Sequence, residues 1–345
     1  MNHEQLYDRI LGCLVTAGMG DAIGAPSEAM SRAEILEKFG GPIDTFLDGG
    51  ENAYAYGNLV GEVTDDASQM YEMAKAVIAC GGKLTVEAAA QALVTWSERY
   101  PKYFPRNAGP TTSYVINELK AGKDPIATGL VGHVYGRGTS NGAAMRVAAA
   151  GLCRPGDLDY AVRTAVTMTA PSHDTQHAYA GACCIASGIA AAIGGAGLYG
   201  VLKACLYGAE EGERIGRAEA RTASGPRLQP KLLQAVECAL SSRSVEEAGQ
   251  KIEDLIGNDG SIQPSVAAAV GLFAAAEGDP ARTILGGANI GGDTDTIACI
   301  AGMLAGAYAG FSALPEGWYA TFKNANPTLD FESAAERLTV IAQNA

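Results

Sequence analysis

The chain is poor in positive charge. Its 345 residues carry 25 Lys plus Arg against 38 Asp plus Glu, a net charge of −13. Such a field repels phosphate backbones and anionic lipid surfaces, so neither nucleic acid nor a membrane is expected as a partner. Charge of either sign is scarce too, at 18% against about 25% in an average soluble domain, while apolar residues reach a normal 48%. That balance supports a core and excludes disorder over most of the length. No CxxC pair occurs among the eight cysteines, and most of them lie in Ala-rich apolar stretches, as reduced core residues do. The opening MNHEQLYDRI has Glu4 and Asp8 where a secretory leader is basic, and no apolar leader core follows; a cytoplasmic protein is expected.

Long runs of Leu, Ile and Phe are also missing. Two uncharged windows, Ala178 to Leu202 and Thr296 to Pro315, have the length to cross a bilayer, but Ala, Gly, Ser and Cys dominate them. The second abuts Asp293 and Asp295, which are costly near hydrocarbon, so both windows read as buried helices. No alternating β-branched run of strand length stands out either. Apolar residues instead recur at three-to-four spacing over Gln5–Gly20, Asp66–Ala79, Thr85–Tyr100, Gly109–Lys120, Asp157–Met168 and His177–Ile193. The same spacing continues over Leu228–Leu240, Ser244–Ile256, Ser261–Ala276, Thr294–Gly310 and Phe331–Gln343. Asp44 to Leu47 and Leu130 to Tyr135 read as extended or irregular. Forty-four glycines, without a collagen-like period, are spread among these apolar segments, and small residues let helices approach closely. The expected fold is all-α, a single large orthogonal multi-helix domain over residues 1–345. Charge, Gly and Pro rise together over Glu210 to Pro230, which reads as a polar surface excursion within that domain.

Two acidic motifs stand out. Thr64, Asp65 and Asp66 in GEVTDDASQM, and Asp293, Thr294, Asp295 and Thr296 in GGANIGGDTDTIACIAG, each precede a helical pattern. Capping accounts for part of this, since Thr and Asp are good N-caps and first-turn acids complement the helix dipole. Capping needs only one such residue. Carboxylates one or two positions apart in apolar surroundings repel one another unless neutralised, and hard divalent cations such as Mg²⁺ or Mn²⁺ bind oxygen sets of this kind. His173 and His177, at i,i+4 with Asp174 between them, fail the zinc pattern H-E-x-x-H, which needs the longer glutamate.

GCLVTAGMGDAIGAPSE (Gly12 to Glu28), VTDDASQM (Val63 to Met70), SNGAAMR (Ser140 to Arg146), SHDTQHA (Ser172 to Ala178) and GGDTDTIACIAGMLAGAYAG (Gly291 to Gly310) occur in that order. With these landmarks the sequence resembles the ADP-ribosylglycohydrolases over nearly its whole length. The resemblance implies an all-α fold with two metal ions, Mg²⁺ or Mn²⁺, in a cleft that cleaves the bond between an ADP-ribose anomeric carbon and its acceptor. By motif it implies metal ligands at Thr64, Asp65, Asp66, Asp293, Asp295 and Thr296, with Asp295 as the bridge. It also implies Glu28 beside the metals, and Gly138, Thr139, Ser140, Asn141, Gly142 and His173 as substrate contacts. Two departures from the family pattern occur. Ala67 and Ser68 follow the first acidic motif where TDDT is common, and the Gly138 to Gly142 loop is short and lacks the aromatic that stacks near adenine in some members. Tyr135 or Tyr114 could replace it.

Ribosyl cleavage passes through an oxocarbenium-like state, so a catalyst must hold the sugar, stabilise the leaving group and aim a water. Two cations could grip the ribose diol and acidify that water. Glu28 or Asp65 is the expected base, and the sequence leaves the choice open. The leading expectation is a metal-dependent hydrolase of a ribosyl glycosidic or ester bond that releases ADP-ribose from a modified acceptor. The alternatives are hydrolysis of a smaller ribosyl compound such as a nucleoside, and a non-catalytic, crystallin-like binding or structural member.

Overall fold

The all-α expectation is met. The computed structural model describes every residue except Ala53, His133 and Tyr135, so the aromatic at Tyr135 and the end of the Leu130–Tyr135 stretch lie outside the described residues. Among those described there is no strand, only isolated bridges between Ser140 and Ser261 and between Thr175 and Arg221. The helices are α1 (His3–Gly24), α2 (Arg32–Phe39), α3 (Asp65–Ala79), α4 (Val86–Arg99), α5 (Pro110–Lys120) and α6 (Pro125–Gly129). They continue as α7 (Ala148–Leu152), α8 (Leu158–Thr169), α9 (Gln176–Ile193), α10 (Leu198–Glu219), α11 (Leu228–Leu240) and α12 (Val245–Leu255). The last five are α13 (Ile262–Ala275), α14 (Pro280–Ala288), α15 (Thr294–Ala309), α16 (Trp318–Ala325) and α17 (Phe331–Gln343).

Most helices begin on a side-chain cap: Asn2 for α1, Ser31 for α2, Thr85 for α4, Asp157 for α8 and Ser244 for α12 all accept a first-turn N–H. The rise in charge from Glu210 belongs to helix as far as Glu219, and the surface loop is shorter than the sequence suggests. Glu213 is buried on α10 and accepts hydrogen bonds from Arg217 and Arg227, so the charge there pairs within and across helices. Helices α2, α6, α7, α14 and α16, which span only 5 to 9 residues, have no counterpart in the sequence reading, and neither does the 22-residue α10, part of which falls in the uncharged window and part in the polar stretch. Helix α1 is long and apolar enough to cross a membrane, but its apolar window is entirely buried. Helices α9 and α15, which contain most of the two uncharged windows, are buried nearly throughout.

The α1–α15 seam explains the glycine content. A Cβ on Gly20 would lie 2.3 Å from the Ala298 carbonyl oxygen, one on Gly24 2.6 Å from Asp295 Cα, and one on Gly306 2.1 Å from the Gly12 carbonyl oxygen. Only hydrogen fits at those distances, so the two backbones run side by side and bring the C-terminal end of α1 to the N-terminal end of α15. Ser27 Oγ, 2.8 Å from the Ala288 carbonyl and 3.1 Å from Thr294 Oγ1, and Thr294 Oγ1, 2.9 Å from the Gly24 carbonyl, fix that junction.

Candidate metal centre and active site

Three chain segments meet at this junction. Asp21, in the last turn of α1, is fully buried and its carboxylate accepts from Thr64 N at 2.9 Å, Thr64 Oγ1 at 2.7 Å and Ala67 N at 2.9 Å. It therefore caps α3 from another helix, which is why Thr64 makes no cap of its own. Glu28 follows the short turn Ala25–Ser27. The next residue, Ala29, has φ +64° and donates its N–H to the Gly292 carbonyl at 2.8 Å, while Gly292 N returns a bond to the Met30 carbonyl at 2.9 Å. Gly291 and Gly292 lie at φ +81° and +67°, a conformation that favours glycine, and this turn delivers Asp293 and Asp295.

Carboxylate oxygens of Asp21, Asp66 and Asp295 lie within 4.8 Å of one another, and so do those of Glu28, Asp293 and Asp295. Asp295 belongs to both groups. Asp66 Oδ1 and Glu28 Oε2 are buried with no hydrogen-bond partner among the described residues. Burial first, then mutual repulsion, drives Asp65, Asp66 and Asp295 well above the usual carboxylate range. Burial raises Asp293 as well, pushes Asp21 up to about 6, and with the Asp293 charge pushes Glu28 up to about 9. Six acids thus crowd one junction whose only buried guanidinium, among the described residues, is that of Arg146, itself lowered to about 10 by burial. An all-oxygen set with orphaned, desolvated lone pairs and excess negative charge fits hard divalent cations.

The expected site residues divide by place. Asp66, Asp293 and Asp295 converge, with Glu28 at the half-exposed rim. Thr64 Oγ1 sits at the same point, 3.2 Å from Asp66 Oδ2 and 3.5 Å from Asp295 Oδ2. Thr296 is buried in the first turn of α15, its N–H donating to Asp295 Oδ1 at 2.8 Å. Asp65 joins neither carboxylate group; its Oδ2 accepts from Gln69 Nε2 at 2.8 Å. Asn141 donates to Asp293 Oδ2 at 2.6 Å, which ties the Gly138–Gly142 loop to the acids. His173 is fully buried behind Ser140, at 2.8 Å from its Oγ. Asp21 went unassigned in the sequence, although it is the one charged residue between Arg9 and Glu28.

Beyond the loop, a cavity of about 560 Å³ is lined by Arg137, Thr139, Arg221, Lys231, Asp259 and Ser261 among others. Its three cations face a single acid in a strongly acidic protein. Tyr114 is half-buried and has the Arg137 guanidinium 4.2 Å over its ring.

The family model described as ADP-ribosylglycohydrolase matches residues 2–345. The chain belongs to the ADP-ribosylglycohydrolase family. It is 32% identical to the uncharacterized protein YegU of Escherichia coli (strain K12), over 97% of this chain and 98% of that one. It is 26% identical to the ADP-ribosyl-[dinitrogen reductase] glycohydrolase of Rhodospirillum rubrum, over 92% and 91% of the two chains. A solved structure described as an ADP-ribosylglycohydrolase-related protein complex shares the fold with a TM-score of 0.68 at 22% identity, over 98% of this chain and 99% of that one. As an ADP-ribosylglycohydrolase the protein is an enzyme, a glycosidase.

Proposed function

We propose that the chain is a divalent-metal-dependent hydrolase that frees ADP-ribose from a modified acceptor. The observation that carries this reading is Asp295, shared by two carboxylate groups whose Asp66 Oδ1 and Glu28 Oε2 have no partner among the described residues. Asp66, Asp295 and the Thr64 hydroxyl, with any lone pair that Asp21 has left, would hold one Mg²⁺ or Mn²⁺ ion, and Glu28, Asp293 and Asp295 a second. Bound there, the ions would supply charge neutralisation, a grip on the ribose diol and an acidified water.

Glu28 is our candidate for the proton carrier. It is partly exposed at the edge of the cluster, whereas Asp65 is buried and bound to Gln69, so of these two Glu28 is the one open to a water and a leaving group. Burial and the Asp293 charge raise its pKa in the cation-free site, and bound cations would ionise it, leaving a carboxylate able to accept a proton. Asp293 is oriented by Asn141, and Asp21 fixes the turn that carries Asp66. The cation-lined cavity beside Thr139 suits a diphosphate, which favours ADP-ribosyl substrates. The absence of an aromatic from Gly138 to Gly142 favours the alternative, a smaller ribosyl compound. Eight free cysteines, seven of them buried, accord with a reducing cytoplasm.

The test is a panel of ADP-ribosylated peptides, O-acetyl-ADP-ribose and nucleosides, each with Mg²⁺, Mn²⁺ or EDTA. The reading requires release of ADP-ribose that stops in EDTA. Hydrolysis of nucleosides without turnover of any ADP-ribosyl compound would replace it with the alternative.

A further inference from the structure

Arg146 heads two chains of hydrogen bonds. It is fully buried, and its Nη1 donates to Gln69 Oε1 at 2.5 Å. Its Nη2 lies 3.2 Å from His173 Nδ1 and 3.4 Å from Ser172 Oγ. The other nitrogen of the ring, Nε2, lies 2.8 Å from Ser140 Oγ. A Cβ on Gly142 would come within 3.3 Å of the His173 ring and 3.4 Å of Arg146 Nη2, so glycine lets the loop rest directly on this pair.

Donor chemistry sets the direction of each bond. A guanidinium offers five N–H donors and no acceptor. Gln69 must therefore turn its carbonyl to Arg146 and its amide N–H to Asp65. His173 Nδ1 has two neighbours, Arg146 Nη2 and, nearer at 2.9 Å, Ser172 Oγ; a lone pair on Nδ1 accepts from both, whereas an Nδ1–H given to Ser172 would leave the Arg146 N–H facing it, so the guanidinium favours the lone pair. The ring is then neutral with its one proton on Nε2, and that proton is donated to Ser140 Oγ. Burial, and then the Arg146 charge, push His173 well below its ordinary pKa, in keeping with a neutral ring. Ser140 Oγ accepts from His173, so its own hydroxyl proton remains for a ligand. Ser140 is half-buried on the loop whose next residue, Asn141, binds Asp293.

We propose that Arg146 is a positioning residue that locks His173 as the Nε2–H tautomer and so makes Ser140 a hydrogen-bond donor to an acceptor oxygen of the ribosyl substrate. The Ser140 half rests on the hydrolase reading, whereas the tautomer does not. The same guanidinium orients Gln69 on Asp65, so one buried cation serves both the metal end and the substrate loop.

Long-range ¹H–¹⁵N spectra of the full chain, labelled at its four histidines, read the tautomer without substrate. Loss of one signal in His173→Gln assigns it. The expected spectrum is a neutral ring protonated at Nε2; protonation at Nδ1, or at both nitrogens, overturns the proposal. Arg146→Lys keeps the tautomer, since an ammonium also only donates, and Arg146→Met loses it. Calorimetry with ADP-ribose and Mn²⁺ then tests Ser140. Ser140→Ala and Arg146→Met should each weaken binding about threefold to tenfold, and the double variant no more than either alone. Additive losses would show Arg146 acting apart from Ser140 and overturn the link. If Arg146→Met fails to fold, the wild-type spectrum and Ser140→Ala still decide. Absence of ADP-ribose binding by the wild type, with the Nε2–H tautomer present, would overturn the Ser140 half together with the hydrolase reading, and the spectrum separates that from a failure of Arg146.

Discussion

The two sides of the Gly138–Gly142 loop carry opposite charge. On one side six carboxylates crowd helix ends set by backbone contact, with Asp21, Asp66 and Asp295 nearly or fully buried. On the other, Arg137, Arg221 and Lys231 line an open cavity framed by loops. The acidic side is unfavourable on its own, because burial and repulsion both raise its pKa values, and a cation relieves it. The cationic side is stable in water and calls for an anion. Precision differs too. The acids stand on elements locked by the α1–α15 seam, where a single methyl group collides with backbone, while the cations sit on longer side chains that can adjust. On the proposed reading, chemistry would fall on the rigid side and recognition on the adaptable one.

The largest expected effect is on the acidic side. Asp295→Asn removes one oxygen and the charge of the residue shared by both groups and should lower kcat/KM by about 10³-fold or more, since metal-assisted charge stabilisation is worth several kcal/mol. Steady-state kinetics in saturating Mn²⁺ checks this. A loss below tenfold would remove Asp295 from the centre of the site.

Stability against pH comes next. Acids with raised native pKa values favour the folded state below their unfolded values near 4, and that contribution is lost as pH rises through the native values. With Asp21 up to about 6 and Glu28 up to about 9, cation-free protein should lose Tm steadily as pH climbs through this window. Added Mg²⁺ or Mn²⁺ should restore most of the loss. Scanning calorimetry with and without EDTA measures it, and a Tm that rises with pH in EDTA would contradict the description of the acid cluster.

A smaller effect tests the seam. Gly20→Val forces side-chain carbon against the Ala298 backbone and should cost about 1–3 kcal/mol, read by denaturant unfolding, with weaker metal binding in parallel. Smallest is Arg221→Ala on the cationic side, expected to raise KM about tenfold for an ADP-ribosyl substrate with little change in kcat. Equal loss for ADP-ribosyl and nucleoside substrates would detach this cavity from diphosphate recognition.

The helix starts at Asp65 and Thr294 were legible because capping and first-turn acids are local signals. Asp21 was not, since its partners Thr64 and Ala67 lie 43 and 46 residues along the chain and only the packing of α1 brings them together. The depth of His173 was not legible either, because motif position says nothing of burial. Its burial depends on Gly142 and Arg146 closing over it. The glycine pattern announced close helix contact, but which glycines met which backbone required the fold.

The central claim is a centre for two divalent ions bridged by Asp295, on which hydrolysis depends. Isothermal titration of metal-stripped protein with Mn²⁺, followed by activity at each stoichiometry, tests it most directly. Two ions per chain are predicted, with turnover of an ADP-ribosyl substrate rising as they bind, and both binding and turnover lost in Asp295→Asn. Full activity in metal-stripped protein, or unchanged Mn²⁺ stoichiometry in Asp295→Asn, would contradict it.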